Sequence, residues 1–379
     1  MISPQKSAHK ILVISLSTVL ILISVLAGCS SLPAMFPMPP AVTPTVYVPQ
    51  VSNGLIAFTA QPAGAPSDIY TMNPDGTDIK RLTTNGGYNP VWTNDGNIFF
   101  VEHDRDGNRH HSIMRPDSTK IGPLFEGYVE SFIWSPDGTK VALNVLDETD
   151  GAGPEKFDIY ILNADGTDAH RLPTYEADLA VAIEPAWSPD SNQIVFVANR
   201  GEYPDDQQDM YVIDVDGSNL RQITNNVDVE RIPQWSSDGK RIFFASRTRD
   251  VYSYVMNADG TNVQVLIDMP IDPRVINYTW KAWPISPDGT LMLIPTHQDE
   301  KYFMSVVETD TYSIVFTLED MVTALWSPDG RQILYHDYFY KQNANYSSYH
   351  IMNVDGTNNR EFKSPFASVT SFAWQPVWK

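Results

Sequence analysis

One short string returns along this chain: Trp134-Ser135-Pro136-Asp137-Gly138, Trp187-Ser188-Pro189-Asp190, Trp235-Ser236-Ser237-Asp238-Gly239 and Trp326-Ser327-Pro328-Asp329-Gly330. Trp92 and Trp374 also end short apolar runs, and Ile285, in Pro284-Ile285-Ser286-Pro287-Asp288-Gly289, takes the Trp place in one more. From Trp92 through Ile285 to Trp374 the intervals are 42, 53, 48, 50, 41 and 48 residues. A strand-rich unit repeating every ~40–50 residues is the sequence signature of a β-propeller. The rest of the composition agrees, since aromatics, Pro and Gly are frequent and no long stretch shows a helical apolar period.

Each unit has the same parts. A short strand ends at the Trp, a tight turn follows, and a second strand such as 140–143 or 241–244 leaves it. A variable loop leads to a third strand such as 158–162, and a second tight turn leads to a fourth strand ending near Arg81-Leu82-Thr83 or Gln222-Ile223-Thr224. The second turns include Asn73-Pro74-Asp75-Gly76, Asn163-Ala164-Asp165-Gly166 and Asn353-Val354-Asp355-Gly356. In both turn classes Pro presets φ, Asp bonds nearby amides and Gly accepts the left-handed conformation. This reading gives structural work to six first-turn and seven second-turn aspartates. It comes before any calcium reading, because Asp214-Val215-Asp216-Gly217 lacks the downstream bidentate Glu of a calcium loop.

The chain stops soon after Trp374 with no second strand, while Leu55-Ile56-Ala57-Phe58 reads as a second strand with no Trp before it. The two ends are therefore expected to share one sheet and close the ring, which removes free edges. The expected fold is all-β: a single β-propeller over 53–379, most simply of seven four-stranded blades closed by N- and C-terminal strands.

The first 28 residues read as a secretory signal. Lys6, His9 and Lys10 precede an apolar stretch over 11–26, then Leu26-Ala27-Gly28-Cys29. This resembles the bacterial lipobox, which implies that Cys29, the single Cys of the chain, is lipidated. A plain transmembrane anchor is the alternative, and 16 apolar residues is short for one. Residues 29–52 carry the lipidated Cys and a Pro-rich linker, an extended stalk. Removing 1–28 takes two lysines and no acid, leaving 24 basic against 46 acidic residues. Such a balance disfavours nucleic acid and anionic lipid as partners.

Strand direction alternates, so both tight turns of every blade lie on one face and the variable loops on the other. Variable loops on a rigid scaffold usually carry recognition. Tyr203, Arg247, Tyr338 and Tyr340 are candidate binding residues there, because aromatics and Arg anchor binding sites. Glu184 and Arg231, just before two anchors in adjacent blades, are candidates for the channel mouth or for simple pairing with each other. His103, His297 and His336 each read as ending a second strand, and would hold a divalent metal if they met; no other cofactor is implied.

The Trp-Ser-Pro-Asp-Gly anchors, each followed by a strand and later by an Asn-x-Asp-Gly-Thr turn, resemble the TolB-type β-propeller repeat over 54–379. The resemblance implies an envelope protein that binds partners through its propeller. This chain departs from TolB: it shows no N-terminal α/β domain, it carries the lipobox, and it counts seven blades rather than six. Two groups of enzymes have propellers similar to this repeat. Prolyl oligopeptidases add a hydrolase domain with a Gly-x-Ser-x-Gly elbow, which this sequence lacks. Oligogalacturonate lyases resemble seven-bladed propellers with a His-rich metal site. The expected function is a membrane-anchored, non-enzymatic, monomeric propeller binding a protein or glycan in the cell envelope, lipid-anchored on its extracytoplasmic side (on the outer membrane where there is one). A metal-dependent polysaccharide lyase or hydrolase using the histidines is the alternative.

Overall fold

The computed structural model describes residues 54–375, apart from 94, 104–108, 124, 126, 148–155, 175–178, 201–207, 226–228, 248–250, 272–283, 299–300, 320, 342–343, 363–365 and 367. These lie within the compact unit Gln50–Lys379. The signal, Cys29 and the linker lie outside them.

Among the described residues every regular element is a strand, and the strands form up-and-down sheets of the kind the repeat predicts. The first sheet joins the two ends of the described chain. β1 (Ile56–Gln61), β2 (Asp68–Met72) and β3 (Lys80–Arg81) follow in order, and β27 (Ser368–Trp374) pairs antiparallel with β1, Ile56 opposite Trp374. The Gln375 N–H bonds to Leu55 O at 2.8 Å, and the Leu55 N–H to Gln375 Oε1 at 3.0 Å. The expected closure is therefore present, in the expected strands.

The next sheet is β4 (Tyr88–Trp92), β5 (Ile98–His103), β6 (Arg109–Met114) and β7 (Lys120–Pro123). β8 (Tyr128–Trp134), β9 (Lys140–Asp147), β10 (Lys156–Asn163) and β11 (His170–Arg171) form one four-strand run. β12 (Leu179–Trp187), β13 (Gln193–Arg200), β14 (Asp209–Asp214) and β15 (Arg221–Gln222) form another, joined to the first by one parallel rung, Phe157 to Val181. β16 (Val229–Trp235), β17 (Arg241–Arg247), β18 (Val251–Asn257) and β19 (Gln264–Ile271) follow. β20 (Leu291–Gln298), β21 (Lys301–Glu308) and β22 (Ile314–Glu319) form three strands, with Ile285 bridging to Met292 at the position the anchor Trp takes elsewhere. The last sheet is β23 (Met321–Trp326), β24 (Gln332–Lys341), β25 (Ala344–Asn353) and β26 (Arg360–Phe362).

The anchor side chains sit between sheets. Trp187 packs with Ala142, Ile159 and Ile161 of the preceding run, and its indole N–H bonds to Ile133 O at 2.9 Å. The Trp326 N–H reaches Pro284 O in the same way, at 3.0 Å. These two Trp thus fill the seam between neighbours and bond to the backbone just before the neighbour's own anchor. Along the last seam, Leu334, Tyr349 and Ile351 pack with Ile56, Phe58 and Trp374 of the first sheet. Removing a buried Trp from such a site typically costs ~3–5 kcal/mol.

Two expectations change. The stretch from His336 to Tyr340, expected as a loop, lies within the ten-residue β24, which pairs rung by rung with β25 from Gln332–Asn353 to Lys341–Ala344. Its aromatics suit a pleated ladder, so pairing continues where a loop was expected. The turn at Glu308-Thr309-Asp310-Thr311 has no Gly, and its left-handed residue is Tyr312, with φ 59°. That turn closes one residue later, by the Tyr312 N–H on Glu308 O.

Candidate binding site at the open strand ends

The tight-turn end of each sheet is explained by its own bonds. Ser135 Oγ donates to Asp137 Oδ1 at 2.6 Å and accepts the Lys140 N–H at 2.9 Å, while Asp137 Oδ1 accepts the Thr139 N–H at 3.0 Å. Ser188 with Asp190, Ser236 with Asp238, Ser286 with Asp288 and Ser327 with Asp329 repeat the arrangement. In the second turns, Asp75, Asp165, Asp216, Asp259 and Asp355 each accept the N–H and the hydroxyl of the residue two positions on. The Thr77 hydroxyl and amide hold the Asp75 carboxyl below its ordinary value. Burial works the other way at Asp137, but hydrogen bonds from Ser135 and Thr139 outweigh it and its pKa is also lowered. Among the described residues no group of three His, Cys, Asp or Glu is placed to hold a metal.

A second group of carboxylates latches fourth strands to third strands. Asp68, its side chain fully buried, accepts from Arg81 Nε at 3.0 Å, Thr83 Oγ1 at 2.9 Å and the Gly86 N–H at 3.1 Å. Asp209 takes Gln222 and Thr224 in the same way, and Asp158 takes Arg171 and Thr174. This is why the fourth strands end in Arg-Leu-Thr or Gln-Ile-Thr.

The opposite, open end holds a polar–aromatic cluster at the junction of two sheets. Tyr88 heads β4, His103 ends β5 and Arg109 opens β6 directly across the ladder from His103. Tyr128 and Glu130 come from the start of β8, Tyr128 on its first rung and Glu130 at its bulge. The His103 ring stacks on Tyr88, with centroids 5.3 Å apart and Nε2 3.3 Å from the hydroxyl. The Arg109 guanidinium lies 4.7 Å over the Tyr128 ring and donates to a tyrosine hydroxyl, Tyr128 Oη, at 2.7 Å; it stands 3.7 Å from Glu130. Burial raises the Tyr88 pKa, opposed by the Arg109 charge. His103 is exposed, and Tyr88, Tyr128 and Glu130 are partly so. Two aromatics, a guanidinium, an imidazole and a carboxylate therefore reach solvent together. Such a patch suits recognition by stacking and charge-assisted hydrogen bonds.

Of the residues singled out from sequence, only His103 belongs to this cluster. Trp92 pairs with Ile98, Ile285 with Met292 and Trp326 with Ile333. Counted from those partners, His103 and His297 stand at one shared register and His336 two residues short of it. His336 thus does not end its strand as expected. It takes the register of Thr59 and Asn144, whose side chains bond into the adjoining sheet: Thr59 Oγ1 accepts the Asn89 N–H at 3.0 Å, and Asn144 Nδ2 donates to Ala182 O at 2.6 Å. The His336 ring stacks on Tyr349, with centroids 4.6 Å apart. The side chain of His297 lies outside the described residues.

Glu184 and Arg231 do pair. Arg231 Nε donates to Glu184 Oε1 at 2.8 Å and the Ile232 N–H to Oε2 at 2.6 Å. Both residues stand at β-bulges, so the pair is a joint between β12 and β16. Arg247 closes β17, while Tyr338 and Tyr340 lie on β24 opposite Ser347 and Asn345. The side chains of those three, like Tyr203 and Cys29 as a whole, lie outside the described residues. Tyr88, Arg109, Tyr128 and Glu130 were missed. The one signal in sequence was a Tyr opening each of two successive anchor strands.

Residues 202–378 match the TolB beta propeller domain. An uncharacterized protein of Agrobacterium fabrum is 29% identical over 165 residues, which is 41% of this chain and 50% of that protein, so the chain spans about half the length of this curated relative. Among solved structures, a puromycin hydrolase mutant complexed with PGG superposes with a TM-score of 0.61 at 13% identity, covering 84% of this chain and 53% of the other. An oligogalacturonate lyase of Vibrio parahaemolyticus superposes with a TM-score of 0.55 at 14% identity, covering 82% and 86%. These likenesses carry the fold.

Proposed function

We propose, from the premise that this chain carries a TolB-like β-propeller, that it is a binding module of the cell envelope with no catalytic step of its own. The match to the TolB beta propeller domain supports a binding role. The observation that carries the site is the cluster of Tyr88, His103, Arg109, Tyr128 and Glu130 at the open strand ends, where aromatic and guanidinium groups converge while the turn-end acids are bonded within their own turns.

On this reading the propeller has seven blades, with Ile285 marking the first strand of the one that shows three. Residues 1–28 are the signal, Cys29 takes the lipid, and 29–52 hold the propeller away from the membrane surface, the outer membrane in a cell that has one. The ligand is an envelope protein or glycan, and the module acts as a monomer. Arg247 at the end of β17 and Tyr338 and Tyr340 on β24 extend the binding face, and Tyr203 is proposed with them.

The alternative is a metal-dependent polysaccharide lyase or hydrolase, favoured by the likeness to an oligogalacturonate lyase and by the shared register of His103 and His297. Metal analysis of the chain purified from cells, with an assay on uronate-containing polysaccharide, decides between them. The proposal expects neither cleavage nor a stoichiometric divalent metal. A bound metal lost on His103→Ala, together with cleavage, would reverse it.

A further inference from the structure

The third strands of neighbouring sheets pack across the seams in matched pairs. Ile159 shares a core cluster with Tyr211, Met210 with Tyr254, and Tyr349 with Tyr70. The registers agree. Ile159, Met210 and Tyr349 stand opposite Asn144, Val197 and His336, each three residues after the residue paired with its anchor. Tyr211, Tyr254 and Tyr70 stand opposite Phe196, Phe244 and Phe58, each two residues after it. At the same two registers, the seam between the β16–β19 sheet and the β20–β22 sheet has Ser253, opposite Ala245, and Ser305, opposite Ile294. Where three other seams set a large side chain against a Tyr, this one sets Ser against Ser.

A third hydroxyl joins them. Thr296 lies on the face of β20 that carries Met292 and Ile294, because side chains alternate along a strand. Ser253, Thr296 and Ser305 are 0%, 2% and 0% exposed, and none of their hydroxyls has a hydrogen-bond partner among the described residues. The core cluster around this seam is apolar and includes Phe243, Val255, Ile267 and Ile294. In two other seams a second-strand side chain carries a hydrogen bond across at the register of Ala245: Thr59 accepts the Asn89 N–H, and Asn144 donates to Ala182 O. Ala245 has no polar group to do so.

We propose that this seam is an internal solvent site, in which ordered water binds Ser253, Thr296 and Ser305 and carries across the seam the hydrogen bonds that protein groups carry elsewhere. A buried hydroxyl left without a partner is costly, and a buried polar site with room for it is met by ordered water. The small side chains supply the room and the three hydroxyls supply the partners. Each hydroxyl can both donate and accept, so a neutral molecule that does the same fits them, and one water can bond about three groups at once. The site is separate from the open-end cluster and does not depend on it.

The test is oxygen-17 relaxation dispersion of water with the full chain, which counts waters held inside for longer than the molecule takes to tumble. Ser253→Ala, Thr296→Val and Ser305→Ala together are expected to remove about one to three such waters per chain. Thr309→Val is the control, because the Thr309 hydroxyl already donates to Gly289 O at 2.7 Å, and it is expected to leave the count unchanged. Ser305→Ala alone, with a smaller loss, serves if the triple variant melts early. An unchanged count in these variants, or an equal loss in the control, would overturn the proposal. So would a crystal structure of the unaltered chain in which a side chain fills the space between Ser253 and Ser305, or in which the three hydroxyls bond protein atoms alone.

Discussion

Ser135 shows how much a single residue carries in the repeated motif. Its hydroxyl joins the Asp137 carboxylate to the Lys140 amide, so anchor, turn and second strand are tied at one atom. The turn carboxylates behave as a set. Hydrogen bonds lower the pKa of Asp75, Asp117, Asp165, Asp190, Asp216, Asp238, Asp259 and Asp355, in each case with the neighbouring hydroxyl as the largest cause. A carboxyl whose folded pKa lies below its unfolded value adds stability that is complete above the unfolded value and is lost as pH falls through the folded one. The ordinary value is 3.8. Urea midpoints are therefore expected to be flat down to about pH 5 and to fall steeply below about pH 4. Replacing Asp137, Asp190 and Asp238 together by Asn is expected to lower the plateau and flatten the acid limb. An acid limb unchanged in that variant would remove the turns from the account.

At the scale of strands, the anchor strands of β4, β12 and β16 carry the same device. Each has a bulge and a left-handed residue followed by Pro: Asn89 with φ 53°, Glu184 with φ 54° and Ile232 with φ 53°. The bulge frees an N–H, and the preceding sheet supplies its acceptor: Thr59 for Asn89 and Glu184 for Ile232. Glu184→Ala would leave the Ile232 N–H and the Arg231 guanidinium without that partner, a loss of about 1–3 kcal/mol in chemical unfolding. A change within ~0.5 kcal/mol, the range of ordinary surface substitutions, would show that the joint is dispensable.

Hairpins and closure were legible in the sequence because turn chemistry is local: Pro, Asp and Gly act on their own backbone. The bulges were not read, although Asn89-Pro90, Glu184-Pro185 and Ile232-Pro233 stand at one distance from their Trp. The extension of β24 was missed because Tyr338, Phe339 and Tyr340 suit an exposed loop and a paired strand equally well.

At the scale of the whole molecule, the chain divides its labour between the two ends of its strands. Acids at the turn end are occupied by their own hairpins, and the open end brings together side chains far apart in sequence. Tyr88 and Tyr128 open successive anchor strands, and Arg109 links them only because β6 packs beside β8. That juxtaposition is a product of packing between sheets, which is why His103 was legible as a candidate and its companions were not.

The most direct test of this division is in-cell photo-crosslinking from two positions, with a photoreactive residue in place of His103 at the open end or of Asp165 at the turn end. The account predicts a discrete adduct from position 103, reduced by Arg109→Ala, and none from position 165. Adducts from position 165 alone would contradict it.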